Sequence, residues 1–412
     1  MSDRVIHNVE AIRPGVGVIG NTVTVRDGRI ASIENRKSRP SVPASDASVE
    51  HIDGGGRPLT PGLIDVHIHG MERFLFEQDA ASMRDGLALL PKYGVTCVLP
   101  TLYRVMNRAS LPKLEALSAA LDEVDAVSAP GLHLEGPFLA LPGAGCETVP
   151  GDVDLLEDLL KATGGRVKAM SVSPDTPGVL PVARRLWDSG IHGFMTHTAG
   201  SVQQTRELID AGVHHATHFY DVFPVPEETE PGARPCGVVE AVLADDRVSV
   251  DFIADGIHVD PIAIEMAVKC KGVEGVLAIT DANVGAGLKE GTYDSPWGFA
   301  VRVREGDACR IHAPGEANDG VLAGSALTMN RAVSNLLSRL DLPTHDVWAM
   351  ATTSVANRLG LAGKGDLIRG GDADLVLWDR IGDELTADRT WVNGRCVYKR
   401  EPQTAEPEPM HG

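Results

Sequence analysis

The stretch Gly62-Leu-Ile-Asp-Val-His-Ile-His69 joins a short apolar run to two histidines that are one residue apart. It is the first of eight short runs of this kind in the middle of the chain. The eight runs cover residues 62–67, 95–100, 131–135, 167–173, 193–197, 214–218, 248–254 and 275–281. Helical patterns separate several of them, at residues 155–162, 179–189, 202–211 and 261–270. Short apolar runs that alternate with helices are typical of a parallel sheet, and eight such units predict an α/β fold, a closed (β/α)8 TIM-like barrel.

The two ends of the chain have a different pattern, in which apolar and polar residues alternate. Residues 21–33 predict a hairpin that turns at Asp27-Gly28. Residues 371–379 and 390–398 are also strand-like, and Asn393-Gly394 predicts a tight turn. Two β-rich ends around a different middle predict a small β-sandwich domain that is built from both chain ends.

The domain organisation follows from these patterns. We expect residues 1–58 to form the first part of the β-sandwich and residues 366–400 the second part. The barrel, with the metal site argued below, would occupy residues 59–365. Residues 36–50 are typical of a mobile loop, and the proline- and glutamate-rich residues 401–412 predict a disordered tail.

Composition excludes several classes of function. The 412 residues include 38 Lys+Arg and 57 Asp+Glu, which gives a net charge of -19. A charge this negative repels phosphate backbones and anionic lipids, so we expect neither a nucleic-acid nor a membrane partner. No run of about 18 apolar residues is present, and the first ten residues lack the apolar core of a signal peptide. The six cysteines lie far apart without a C-x-x-C pair, which predicts reduced thiols and a cytoplasmic location.

Five of the eight runs end in ionisable side chains. Because the carboxyl ends of barrel strands form one mouth, these side chains should converge there. Imidazole nitrogens and carboxylate oxygens are ligands of divalent transition metals. The residues are His67, His69, Glu135, His197, His218 and Asp281.

Each of these residues has a plainer interpretation when it is taken alone. An H-x-H pair is a weak signal, and a lone histidine at a strand end is more often a hydrogen-bonded core residue. Glu135 could be a buried, paired carboxylate, and Asp281 could be the N-cap of a helix. Desolvating so many ionisable groups at one mouth without a metal would be costly, and the combination therefore favours a metal site.

The residue types also suggest a reaction. A metal held by Glu135, His197 and His218 would leave a position open for water and lower the pKa of that water toward neutrality. Asp281 could take the proton and pass it to a leaving group. His67 and His69 could hold a second ion. We expect Zn²⁺ or Fe²⁺, one or two per subunit, and metal-assisted hydrolysis of an amide or similar bond in a small molecule.

Other histidines carry less information. His258 follows the seventh run at the same mouth, where it is either a loop histidine or a substrate contact, and we favour the contact. The remaining four that lie within or before runs are expected to be structural or to support the site from behind it. They are His133, His192, His214 and His215.

The chain resembles the N-acetylglucosamine-6-phosphate deacetylases of the amidohydrolase superfamily. The resemblance runs over nearly the whole length, and the His133-Leu-Glu-Gly-Pro-Phe138 and Leu322-Ala-Gly-Ser325 stretches are specific to this group. The other matching stretches are residues 61–70, 196–199, 216–220, 254–259 and 280–282.

The resemblance implies an enzyme of amino sugar and carbohydrate metabolism that forms a homodimer. It implies metal ligands at Glu135, His197 and His218, an acid/base at Asp281 and a substrate contact at His258. It also implies that Arg234 reaches the sugar phosphate of the neighbouring subunit. Some members of the family keep the H-x-H pair and hold two metals, whereas others have lost it and hold one.

Three departures concern the substrate. Asp221-Val222 stands where the family has an Asn near the phosphate, and a second anion beside a phosphate is repulsive. Residues 141–146 lack the family's lysine and histidine. Met71–Glu77 stands where the family usually has a glycine-rich stretch, and the sequence assigns Met71–Glu77 no role. The alternatives are therefore a related amidohydrolase for an unphosphorylated N-acyl sugar, an N-acyl amino acid or a cyclic amide, or a non-catalytic barrel-fold binding protein.

Overall fold

The computed structural model describes residues 3–36, 49–143 and 145–401. Its first four strands come from the alternating sequence near the N-terminus. They are β1 (Asp3–Arg13), β2 (Gly17–Arg26), β3 (Arg29–Glu34) and β4 (Val49–Pro61). The predicted hairpin is confirmed, because β2 and β3 are antiparallel and Asp27 and Gly28 connect them with φ of 49° and 76°. Positive φ at both turn residues matches the right-handed twist of the two strands.

All eight apolar runs form strands, which confirms the barrel. The first barrel strand, β5 (Leu63–Ile68), is followed by a small hairpin of β6 (Gly70–Met71) and β7 (Phe74–Leu75). The other seven are β8 (Val95–Leu102), β9 (Leu132–Leu134), β10 (Val167–Val172), β11 (His192–Met195), β12 (Val213–Ala216), β13 (Ser249–Ile253) and β14 (Val276–Ile279). The eight are parallel and adjacent in chain order. They are buried almost throughout, as parallel strands covered by helices must be.

Helices follow the barrel strands, and the four helical patterns noted in the sequence are among them. The helices are α1 (Ala80–Leu89), α2 (Leu111–Ala120), α3 (Val153–Ala162), α4 (Val179–Asp188), α5 (Val202–Asp210), α6 (Val238–Leu243), α7 (Pro261–Lys271), α8 (Met329–Arg339), α9 (Thr344–Met350) and α10 (Thr353–Arg358). Short 3₁₀ turns cover Leu90–Tyr93, Arg108–Ser110, Leu121–Glu123 and Val273–Gly275. Side-chain caps set the starts of α3, α5 and α7, where Asp152, Ser201 and Asp260 accept backbone N–H bonds.

A seam between the first and last strands completes the barrel. β5 and β14 stand at the two ends of the sheet order, and side chains and backbone beyond the strands join them. The Asp65 carboxylate accepts a 2.6 Å hydrogen bond from the Thr280 hydroxyl. Farther along, the Asp281 N–H donates to the carbonyl of His67 at 2.9 Å. The seam thus places the last strand's acid beside the first strand's histidines.

The chain after β14 builds a small sheet that the sequence analysis did not predict. β15 (Gly291–Asp294), β16 (Ala300–Val303) and β17 (Arg310–His312) form three antiparallel strands. Their outward residues are polar and the strands are only three or four residues long, so their apolar runs are too short to stand out. This sheet forms one wall near the barrel mouth, as described below.

The last strands return to the first four. β18 (Leu375–Ile381), β19 (Glu384–Val392) and β20 (Arg395–Lys399) join β1–β4 in one mixed seven-stranded sheet of order β20-β19-β18-β4-β1-β2-β3. The predicted β-unit from both chain ends is thereby confirmed, with a separate core that includes Leu59 and Trp391. We retain the domain boundaries after residues 58, 365 and 400 as a prediction.

Two predicted segments fall mainly outside the described residues. Of the loop predicted at 36–50, residues 37–48 are not described, and Val49 and Glu50 already belong to β4. Of the predicted tail, only Glu401 is described. None of the described helices is long and apolar enough to cross a bilayer. All six cysteines are free thiols.

Candidate metal centre

Glu135 lies at the middle of the barrel mouth and faces four histidines. Its Oε1 atom is 3.2 Å from His197 Nε2 and 3.1 Å from His218 Nε2. Its Oε2 atom is 3.3 Å from His69 Nε2, and its Oε1 atom is 3.6 Å from His67 Nε2. The structure therefore brings five predicted ligands together as two overlapping triads that share Glu135.

The rings of the two histidines on β5 are oriented by hydrogen bonds at Nδ1. His67 and His69 project to the same side of β5 because side chains alternate along a strand. Thr217 donates its hydroxyl proton to Asp251, so its oxygen accepts from His67 Nδ1 at 2.9 Å. The Thr101 carbonyl likewise faces His69 Nδ1 at 3.2 Å. Because Nδ1 of each ring donates to its oxygen partner, the two Nε2 atoms are the ring nitrogens that face the carboxylate.

The next two histidines are held by the backbone just beyond β11 and β12. His197 and His218 have φ of 49° and 34°, in the left-handed region that costs a non-glycine residue about 1–3 kcal/mol. The N–H of His218 donates to the buried Asp251 carboxylate at 2.5 Å, which secures this conformation. Asp281 has a similar φ of 47°. Three strand ends thus store strain that turns their side chains into the mouth.

The negative charge of the buried Glu135 carboxylate is stabilised by positively charged partners. Burial lowers the pKa of His218, but the hydrogen bond and charge of Glu135 outweigh burial and raise that pKa to about 10. Burial would raise the pKa of Glu135, yet His67, His197 and His218 hold it well below its ordinary value. In the described part of the chain, no lysine or arginine forms an ion pair with Glu135.

A divalent metal fits this donor set. The Nε2 atoms of His67 and His69 are 3.2 Å apart, and two lone pairs at this separation repel unless a proton or a metal lies between them and the carboxylate. Imidazole nitrogen and carboxylate oxygen are the ligand types of Zn²⁺ and Fe²⁺. Because the ligands must lose their protons, we expect metal uptake to release protons.

Asp281 stands at the edge of the cluster. Its Oδ1 atom is 3.0 Å from His69 Nε2 and 3.6 Å from His67 Nε2. Burial raises its pKa, but the hydrogen bond from His69 and the charges of the histidines outweigh burial and lower it. The group is therefore a carboxylate at neutral pH, able to accept a proton in the cavity.

A cavity of about 170 Å³ opens above the cluster. The predicted substrate residues Asp221, Val222 and His258 line it together with Asp281. The His258 Nδ1 atom lies 2.6 Å from Asp255 Oδ2. Burial lowers the pKa of His258, whereas Asp255 raises it, and the net shift is upward. The charge of Asp255 therefore favours the protonated form of the His258 ring.

Several cavity residues were missed by the sequence analysis. Tyr103 directly follows β8, so its position at a strand end was a usable signal. Gly143 had no such signal: a Cβ atom there would lie 1.9 Å from His197 Cε1, so only glycine fits. Asn283 was missed as well, whereas Leu322 and Gly324 belong to the Leu322–Ser325 stretch, to which the sequence analysis gave no role in the cavity.

The Met71–Glu77 stretch shapes this cavity from outside. Its strands β6 and β7 pair as a hairpin, and the buried Glu77 carboxylate follows them. Glu77 Oε2 accepts hydrogen bonds from the N–H groups of Tyr103 and Arg104 at 3.0 and 2.9 Å. The stretch therefore fixes the backbone that carries Tyr103.

Arg234 is the predicted site residue that the single chain does not bring to the cavity. Its side chain is 85% exposed, and its guanidinium is 3.9 Å from a Glu240 carboxylate oxygen. The proposed role of Arg234 concerns a neighbouring subunit.

Comparisons with known proteins identify the family of this chain. The sequence profile of the amidohydrolase family matches residues 59–397. The chain is 30% identical over 385 residues to the N-acetylglucosamine-6-phosphate deacetylase of Lysinibacillus sphaericus, covering 90% of this chain and 92% of that protein. It is also 30% identical over 370 residues to the Bacillus subtilis deacetylase, covering 86% and 88% of the two chains.

A solved structure shows the same fold. The N-acetylglucosamine-6-phosphate deacetylase of Pasteurella multocida aligns with a TM-score of 0.80 at 23% identity, over 96% of this chain and 99% of that chain. The family profile and the two relatives together lead to one conclusion. This chain belongs to the amidohydrolase family and, within that superfamily, to the N-acetylglucosamine-6-phosphate deacetylases.

Proposed function

We propose that this chain hydrolyses the amide of N-acetylglucosamine 6-phosphate, releasing acetate and leaving the amino sugar phosphate. The observation that carries the proposal is Glu135, placed between two histidine pairs beside Asp281 in a cavity at the barrel mouth. The relatives that match most of the chain are named as deacetylases of this substrate, which supports the same reaction.

We propose Zn²⁺ or Fe²⁺ as the cofactor, with His197, His218 and Glu135 holding one ion. His67 and His69 would hold a second ion with the other oxygen of Glu135, which faces His69 at 3.3 Å. When bound, a divalent metal here supplies Lewis-acid chemistry that polarises the amide carbonyl and makes water more acidic.

The chain's own residues would move the protons and hold the substrate. Asp281 Oδ1 accepts a proton from water and delivers it to the amide nitrogen as the carbon–nitrogen bond breaks. The seam holds Asp281 at this point through its N–H bond to His67. Asp255 occupies Nδ1 of His258, which leaves the Nε2–H of this ring to donate to the substrate.

Asp221 favours a second candidate, an unphosphorylated N-acyl sugar. Its side chain lines the cavity where the resemblance implies a phosphate, and two anions in a desolvated site repel. The described part of the 141–146 segment supplies neither a lysine nor a histidine. An N-acyl amino acid or a cyclic amide would satisfy the same observation.

We further propose a cytoplasmic homodimer. Arg234 is exposed and lies outside its own cavity, so it is available to a neighbouring subunit. Six free cysteines suit a reducing compartment.

Acetate release tests the function. Purified enzyme loaded with Zn²⁺ or Fe²⁺ is incubated with N-acetylglucosamine 6-phosphate and, separately, with unphosphorylated N-acetylglucosamine. We expect acetate from the phosphorylated sugar and a loss of about 10²–10⁴-fold in kcat for Asp281→Asn, the range that general acid–base catalysis supplies. Acetate from the free sugar alone would establish the second candidate. No hydrolysis of either sugar, of N-acyl amino acids or of cyclic amides would favour a non-catalytic binding protein.

Elemental analysis tests the number of metals. If two ions bind, replacing His67 and His69 together by alanine should reduce the metal content from about two per chain to about one, because only one triad then remains complete. An unchanged content would contradict the second site.

A further inference from the structure

A second cavity adjoins the metal centre. It has a volume of about 320 Å³ and shares Asn283 and Leu322 with the cavity above Glu135. Its other apolar walls are Trp297, Phe299, Ile311 and Ala323. We call the space bounded by Leu322 and these four residues the apolar annex.

The small antiparallel sheet builds most of the annex. Trp297 and Phe299 lie in the connection between β15 and β16, and their rings stack with centroids 5.5 Å apart. The Trp297 indole N–H donates to the Tyr103 hydroxyl at 2.9 Å. Tyr103 in turn packs edge-on against the His69 ring at 4.9 Å between centroids. The annex wall is thus fixed relative to the metal ligands.

The annex lies on the side of the mouth away from the proposed sugar contacts. Asp221 and Val222 follow β12, whereas Tyr103 follows β8, and these two strands are four places apart in the eight-strand order. In a barrel of eight strands, four places separate opposite sides. An amide that places its sugar toward Asp221 and His258 therefore directs its acyl group toward Tyr103, Leu322 and the annex.

We propose that the annex is an acyl subsite and that this enzyme, besides acetyl, also removes larger N-acyl groups that carry an apolar chain or an aromatic ring. The inference rests on the proposed function, because it uses the same hydrolytic centre and the same sugar orientation. A two-carbon acetyl group would leave most of a 320 Å³ space unused, whereas a longer apolar chain would cover Trp297, Phe299 and Ile311. Burying each added methylene should raise kcat/KM by about fourfold at most.

The annex also has a polar edge. The exposed side chain of Arg104 lines it, and among the described residues no carboxylate forms an ion pair with this guanidinium. The bulk of the lining remains aliphatic or aromatic, so the occupant is an apolar acyl group rather than a second charged one.

The reaction needs no further reactant. Water adds a hydroxyl group to the acyl carbon and a proton to the nitrogen, the carbon–nitrogen bond breaks, and the products are a longer carboxylate and the amino sugar. The same Asp281 carboxylate serves both proton transfers.

A series of substrates tests the subsite. The values of kcat/KM are measured for the N-acetyl, N-butanoyl, N-hexanoyl and N-benzoyl derivatives of glucosamine 6-phosphate, and of free glucosamine, with metal-loaded enzyme. We expect the hexanoyl and benzoyl derivatives to be hydrolysed at least as efficiently as the acetyl derivative. Ile311→Trp fills the annex and should lower the hexanoyl-to-acetyl ratio about tenfold or more, on the scale of one lost pocket contact.

A matched control lies on the loop segment that pairs with β17. The N–H of Ile311 bonds to the carbonyl of Val321, whose side chain is 51% exposed and outside the annex. Val321→Trp adds the same bulk and should leave the ratio within about twofold. Phe299→Ala removes a wall instead of adding one and should lower the same ratio, which keeps the test valid if Ile311→Trp does not fold.

The outcomes separate the two proposals. Hydrolysis of the acetyl derivative with a hexanoyl-to-acetyl ratio below one, or with a ratio that both annex variants leave unchanged, would overturn the acyl subsite and leave the proposed function intact. No hydrolysis of any derivative would overturn both.

Discussion

The two ends of the barrel both carry clusters of histidines, but the two clusters have opposite electrostatics. At the carboxyl end, Glu135 and Asp281 raise the pKa of His69 and His218 in spite of burial. At the amino end, a cavity of about 410 Å³ is lined by His192, His214, His215 and Arg358. Burial lowers the pKa of all three of those histidines, and Arg358 lowers it further. At His215 the hydrogen bond and charge of Asp251 raise the pKa but do not outweigh burial.

The difference shows that histidines alone do not make this site. Each amino-end ring has neighbouring partners, such as the Ile209 carbonyl 3.1 Å from His214 Nε2 and the Ser249 hydroxyl 2.7 Å from His215 Nδ1. Their lowered pKa favours the neutral ring, and we retain the prediction that these histidines are structural or support the site from behind it. The carboxyl end instead converges on a carboxylate that no described arginine or lysine pairs with.

Replacing Glu135 should have the largest effect on metal content and activity, because Glu135 is the carboxylate that distinguishes the carboxyl end from the amino end. Glu135→Ala takes away the oxygen atoms shared by both triads, so metal retention should be lost. Activity should fall by at least about 100-fold, as when one charge-stabilising group is removed. Elemental analysis and acetate release measure the two effects, and circular dichroism should show an intact barrel. Unchanged metal content would refute the ligand assignment.

Replacing Asp255, which contacts His258 at the carboxyl end, should have a smaller effect on catalysis. Asp255 raises the pKa of His258, so His258 remains protonated to a higher pH than an isolated histidine, and its proton is lost as pH rises through that raised pKa. Asp255→Asn should therefore move the alkaline limb of the kcat/KM profile to lower pH. Asp260→Asn is the control, because asparagine keeps the cap of α7. Superimposable profiles for wild type and Asp255→Asn would remove His258 from the mechanism.

The smallest effect on catalysis belongs to the amino end. His214 packs edge-on against Trp187, with ring centroids 5.1 Å apart, and bonds to the Ile209 carbonyl. His214→Phe keeps the ring contact and loses about 1 kcal/mol of hydrogen bonding, which in a chain of this length should lower the melting temperature by about 1 °C. Metal content and kcat should remain those of the wild type. A loss of metal would show that the two ends are not independent.

The sequence alone predicted the elements that have a repeating or alternating residue pattern. The eight apolar runs, the turns at Asp27-Gly28 and Asn393-Gly394, and the ionisable strand ends all have local signals. Contacts between distant segments had none, and Glu77 holding the backbone of Tyr103 is an example. The β15–β17 sheet was missed because its strands are short and partly exposed.

Some site features could not be predicted because they depend on packing. Gly143 is required only by the position of the His197 ring, and the annex exists only because Trp297 and Phe299 pack against Tyr103. The proposed role of Arg234 would require a second subunit, and the single chain shows only that this side chain is exposed.

The seam between β5 and β14 has a consequence for biosynthesis. Asp65 and Thr280, which bond across it, are 215 positions apart in the chain. A polypeptide that is still being translated therefore carries all five proposed metal ligands before it carries Asp281, which follows the eighth strand. Fragments that end before the eighth strand would be catalytically inactive, and hydrolysis would begin only in molecules whose barrel has closed.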